Sequence, residues 1–238
     1  MTATPFAAGT ARPHPASGWT VPMAIALGLG GIVGARFFAV RAGLDPLLVG
    51  TAFGAALAAL AVAGRDGSAR GARKAREASA GSARELPARG ALRAHGARRV
   101  PPTQAIVSIA VGVVVGLALV AIAIIGPAVG GVMTIPGVGR PAAPFVPWAL
   151  ITLLVAAAEE GLLRGALLDR IERAAGLVPA IALTTLLFAV MHVPLYGWHV
   201  VPLDLVVGLV LVGLRLSTRG LAAPIAAHAV ADLATWWL

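Results

Sequence analysis

The chain has 238 residues, of which 58% are apolar and 12% charged, and its formal net charge is +9. Soluble domains sit near half apolar and a quarter charged, so the composition excludes an ordinary aqueous globule, and its hydrophobicity excludes a disordered chain. What remains is a polytopic membrane protein, an all-α helical bundle with room for about seven spans of roughly 20 residues each. The absence of cysteine excludes a disulfide framework, a thiolate zinc site and a cysteine nucleophile.

Residues 1–18 lack the basic start and short apolar stretch of a cleavable signal. The first span is predicted over 19–40, with Arg36 near its far end, where a long side chain snorkels to the headgroups. A second span covers 46–64. Residues 65–100 then carry ten basic side chains against three acidic ones and read as a basic loop. A third span occupies 103–126, followed by a Gly/Pro-rich connection over 127–147. The remaining spans are predicted over 144–168, 177–193, 201–214 and 221–238. The pairs Gly30/Gly34 and Gly112/Gly116 have the small-residue spacing that lets membrane helices approach closely, and both are assigned to packing.

Basic residues collect in cytoplasmic loops, which places segment 65–100 and the N-terminus in the cytosol. The same threading puts Arg12, Arg170, Arg173, Arg215 and Arg219 inside, Arg36, Arg41 and Arg140 outside, and Arg164 within a span. The protein is therefore expected in the cell membrane as a multi-pass chain. The basic loop reads as a topology determinant that meets anionic lipid headgroups. No interleaved aromatics accompany it, so nucleic acid is not an expected partner.

Ionisable groups inside a bilayer are costly and usually functional. Here three spans break that rule conspicuously. The fourth contains Glu159, Glu160 and Arg164, the fifth Phe188 and His192, the seventh His228 and Asp232. Glu160 and Arg164 are four apart on one helix face and form the natural ion pair, while Glu159 is rotated away from it. His228 and Asp232 share a face, as do Phe188 and His192. At 1.5 Å per residue, Glu159 and His228 lie about 15 and 12 Å from their cytosolic helix ends, and His192 about 22 Å. The first two depths agree; His192 fits only if its helix tilts or starts later.

Glu159-Glu160-x-x-x-Arg164, Phe188-x-x-x-His192 and His228-x-x-x-Asp232, in that order on separate apolar helices, resemble the CPBP intramembrane protease family, which includes the Rce1-type CAAX prenyl proteases and the Abi proteins. The resemblance covers 144–238 and divides the chain into that catalytic helical core and an N-terminal region, 1–143, with three spans and the basic loop. It implies an intramembrane endopeptidase that cuts a peptide bond near the membrane surface. Glu159 would be the general base for a water, His192 would position or deprotonate that water, and His228 with Asp232 would stabilise the oxyanion. Glu160, Arg164 and Phe188 would support them. An ionised Asp232 repels an oxyanion, so it either stays protonated or orients His228; the second is favoured. The expected substrate is a peptide or membrane-associated protein. The favoured mechanism uses no cofactor, although Glu159, His192, His228 and Asp232 also form a set that could hold zinc. The His-Glu-x-x-His pair of familiar zinc proteases is missing. The alternative function is a non-proteolytic membrane protein, a proton-coupled carrier or a bacteriocin self-immunity protein. Intramembrane acids and histidines also build proton relays.

Overall fold

The structure is a computed structural model that describes residues 18–82, 101–125 and 143–237, and every regular element among them is helical. The expectations for 1–17, 83–100 and 126–142, with Arg12, Arg84, Arg89, Arg93, Arg98, Arg99 and Arg140, lie outside the described residues. The first helix, α1, runs Thr20–Arg41. The second, α2, begins at Pro46, where Asp45 Oδ1 accepts from the backbone N–H groups of Leu47 and Leu48 at 2.9 Å each. A carboxylate ahead of a helix-opening proline satisfies free N–H groups and suits the positive end of the helix dipole. α2 continues to Ser82, although only Pro46–Arg65 is apolar enough to cross a membrane. The first half of the expected basic loop is therefore helix. Alanine, arginine and lysine dominate 65–82, and these residues favour helix without help from lipid.

α3 covers Pro102–Ile125. α4, Phe145–Glu160, passes directly into a π-helical stretch, Gly161–Leu167, and then into α5, Leu168–Ala175. Together they make one apolar rod of 31 residues. α6 spans Leu177–Tyr196, and α7, Val201–Thr218, follows a single 3-10 turn. Gly176 and Gly197 close α5 and α6 at φ of 92° and 88°, where a side chain would be strained; both reversals are tight for that reason. α8, Ala222–Ala234, occupies the place of the seventh expected span but has 13 residues, a rise of about 20 Å. Its end is set by a turn in which the Thr235 hydroxyl donates to the Asp232 carbonyl at 2.6 Å. Among the described residues six helices are long and apolar enough to cross a membrane, and α8 is a shorter apolar helix beside them.

α8 packs on α3, α4 and α7, while α2 bridges α1 and α4, and α6 lies along α7. A methyl group on Gly112 would stand 2.2 Å from the Ala223 carbonyl oxygen, and one on Gly116 2.7 Å from that of Ala227. This pair is thus the close approach of α3 to α8 that its spacing predicts. Among the described residues nothing lies within 4 Å of a Cβ at Gly30 or Gly34, so these residues give that pair no packing partner: small-residue spacing permits an approach but does not supply the second helix. Ile25 and Leu29 of α1, Phe53 and Leu57 of α2, and Leu162, Leu163 and Leu167 of the π stretch join Phe188 and Leu211 in one apolar cluster. Outside it, Leu27, Leu48, Ile106, Val114 and Val178 are exposed, whereas Glu159, Glu160, Arg164, Thr184 and His228 are buried. That distribution is the inverse of a water-soluble globule. Acyl chains solvate the apolar shell, and polar groups must find partners within. The protein is a multi-pass membrane helical bundle.

Candidate active site

Glu159 and Glu160 are buried where α4 meets the π stretch. Glu160 Oε1 accepts from Arg164 Nη1 at 2.9 Å, with neither side chain exposed, which is the pair that the four-residue spacing predicts. Arg164 reaches further than its own helix. Its Nη2 donates to the Gly208 carbonyl of α7 at 3.3 Å, and its guanidinium lies 4.5 Å from the centroid of the Phe188 ring on α6. A Cβ on Gly208 would sit 3.1 Å from the Thr185 methyl and 3.3 Å from the Phe188 ring, so a bare backbone lets α7 come this close. π-helical turns recur at functional sites because they redirect side chains within a helix; nothing in the residue pattern announced this one.

The two nitrogens of His228 have different partners. Nδ1 lies 3.1 Å from Glu160 Oε1. Nε2 stands 3.4 Å from Asp232 Oδ2 and 3.7 Å from Glu159 Oε2. Glu160, already accepting from Arg164, acts as acceptor for Nδ1–H as well. Nε2 is then the nitrogen turned toward Glu159 and Asp232. Sequence spacing offered Asp232 as the group that orients the ring; the shorter contact comes from Glu160, across the α4–α8 interface, where same-helix spacing carries no information. Asp232 is 41% exposed against 4% for His228, which puts it at the rim.

His192 joins this group through an aromatic ring. Phe188 meets the His192 ring edge-on at 4.9 Å between centroids and the His228 ring at 5.5 Å. His192 is also the less buried of the two histidines, in line with its greater distance along its helix. Its Nδ1 lies 2.8 Å from the Phe188 carbonyl oxygen. Three neighbours escaped the sequence reading. Asp204 in the first turn of α7 stands 3.4 Å from His192 Nδ1. The Tyr196 ring lies 6.0 Å from the His192 ring. Arg36 does not simply reach for headgroups: its guanidinium lies 4.2 Å from the Phe53 ring centroid and within electrostatic range of Glu159 and Tyr196. A signal for it existed, since Ile25, Leu29 and Val33 form the buried stripe of α1 and Arg36 continues that register.

Zinc requires several donors converging on one point. Among the described residues no three histidine or carboxylate side chains are placed to hold one ion. His228 presents Nε2 to Glu159 and Asp232, while the acid nearest His192 is Asp204.

Residues 141–234 match the family model described as Rce1-like, type II CAAX prenyl endopeptidase Rce1-like. This segment is similar to the Rce1-like family. It opens just ahead of α4 and closes with α8, so the matched segment contains every residue of the cluster except Arg36. The match supports an intramembrane protease function in general. No curated protein and no solved structure matches the chain.

Proposed function

We propose that the protein is an intramembrane endopeptidase in which Glu159 activates the water that attacks a peptide carbonyl. The observation that carries this reading is the meeting of Glu159 and Asp232 on one nitrogen, His228 Nε2, inside an apolar-shelled bundle. Glu159 takes one proton from water as the new C–O bond forms, then returns it to the amine as the C–N bond breaks. A His228 ring protonated on both nitrogens, balanced by Glu160 and Asp232, donates from Nε2 to the oxyanion. Donors fixed in a water-poor site are worth more there than in bulk solvent. His192 positions the water. Glu160, Arg164 and Phe188 hold the two histidines in register.

In this reading no metal takes part, and 144–238 is the catalytic unit, supported by 1–143. The substrate is a peptide or membrane-associated protein. The chain lies in the cell membrane with its N-terminus in the cytosol, and segment 65–100 faces anionic headgroups.

The test is cleavage of membrane-associated peptides by the purified full chain. Glu159→Gln, His192→Ala and His228→Ala are each expected to lower turnover about 100-fold or more, with Glu159→Gln keeping the wild-type unfolding temperature. Retention of full cleavage by all three removes the catalytic assignment. Metal analysis of active protein is expected to find less than one zinc per chain and no loss on chelation. Stoichiometric zinc that leaves together with activity replaces the metal-free scheme.

A further inference from the structure

Asp204 has no part in the scheme above, yet it is the acid beside His192. It sits in the first turn of α7, after Pro202, where the positive end of the helix dipole favours a carboxylate. Its Oδ2 is buried without an aligned hydrogen-bond donor, 3.4 Å from His192 Nδ1. The ring nitrogen itself points elsewhere, to the Phe188 carbonyl at 2.8 Å. A carbonyl oxygen only accepts, so Nδ1 carries a proton whether the ring is neutral or charged. The hydrogen bond made by one ring nitrogen decides what the other can do, and Nε2 is left as the acceptor. His228 repeats the arrangement with Glu160 at its Nδ1. The other groups acting on His192 are His228 and Asp232 from α8 and Tyr196 from its own helix; among these, Asp204 alone faces Nδ1 in an ion-pair contact.

We propose that Asp204 is the electrostatic partner of His192, a positioning residue that stabilises the partial positive charge drawn onto the ring when Nε2 accepts a hydrogen bond from the attacking water. Resting on the peptidase reading, the inference assigns each hydrogen of that water: Glu159 removes one and His192 Nε2 holds the other. No redox partner or further reactant is needed. Exchanging the carboxylate for an amide, Asp204→Asn, keeps the shape of the side chain and loses that stabilisation.

The experiment uses the full chain in detergent micelles, labelled with nitrogen-15 at histidine, with the His192 signals identified by their loss in His192→Ala. In Asp204→Asn the Nδ1–H proton resonance of His192 is expected to move upfield while those of His228 stay in place. The same variant is expected to lower kcat about tenfold with KM within about twofold, and Asp204→Glu to regain most of the loss. An unmoved His192 resonance overturns the pairing. A moved resonance with unchanged kcat overturns its part in the reaction. A wild-type chain that cleaves no peptide but shows the shift upholds the pair and removes the peptidase reading instead.

Discussion

Arg164 brings a charge into the helix interface and contacts three elements there: Glu160 on its own rod, the Phe188 ring of α6 and the Gly208 carbonyl of α7. Removing one member of a buried ion pair leaves the other charge without compensation, at a cost of about 3–5 kcal/mol, whereas replacing both members is often close to neutral. Arg164→Met is therefore expected to lose stability on that scale in denaturant unfolding in micelles. The double variant Glu160→Leu/Arg164→Met is expected to regain most of it. Cleavage is expected to stay low in the double variant, because His228 Nδ1 has then lost its acceptor. Recovery of both stability and cleavage would reduce Glu160 to a structural partner. The ion pair was legible from its four-residue spacing; the second use of Glu160 was not, because it depends on where α8 lies.

At the level of the helices, α3 sets the position of α8, and α8 carries His228 and Asp232. The close contact of Gly112 with the Ala223 carbonyl leaves no room for a side chain. Gly112→Val is expected to push the helices apart and destabilise by about 1–3 kcal/mol, the usual cost of overpacking, and to reduce cleavage by moving His228 away from Glu159. Gly30→Ala is the matched control. It meets open space and is expected to change stability by less than about 0.5 kcal/mol. Thermal unfolding and turnover of the two variants check the contrast. A Gly112→Val chain with wild-type stability and turnover would show that α8 is held by its other neighbours. Both pairs have the same spacing in the sequence, so only the packing partner separates them.

For the whole molecule, α6, α7 and α8 are joined by short turns and alternate in direction. His192 and Asp232, in the C-terminal halves of α6 and α8, thus share an end with Asp204 at the start of α7. Arg170, Arg173, Arg215 and Arg219 lie toward the opposite end. The proposed orientation puts that basic end in the cytosol and the α1–α2 turn outside. The chain has no cysteine, so single cysteines report cleanly. Gly43→Cys is expected to react with a membrane-impermeant thiol reagent on intact cells, and Ser217→Cys only after permeabilisation. The reverse pattern inverts the orientation.

Composition and apolar runs by themselves determined that the chain is a helical membrane protein, because lipid leaves so apolar a chain few other solutions. Within a helix, the fixed 3.6-residue period was enough to pair Glu160 with Arg164 and to put His228 and Asp232 on one face. Tertiary structure decided what lies between helices. It gave Glu160 to His228, Asp204 to His192 and Arg36 to the surroundings of Glu159, and it shortened α8 and inserted the π turn. The physical reason is range. Helical periodicity is local and readable along the chain, whereas the rotation of one helix against another is set by steric fit at many positions at once.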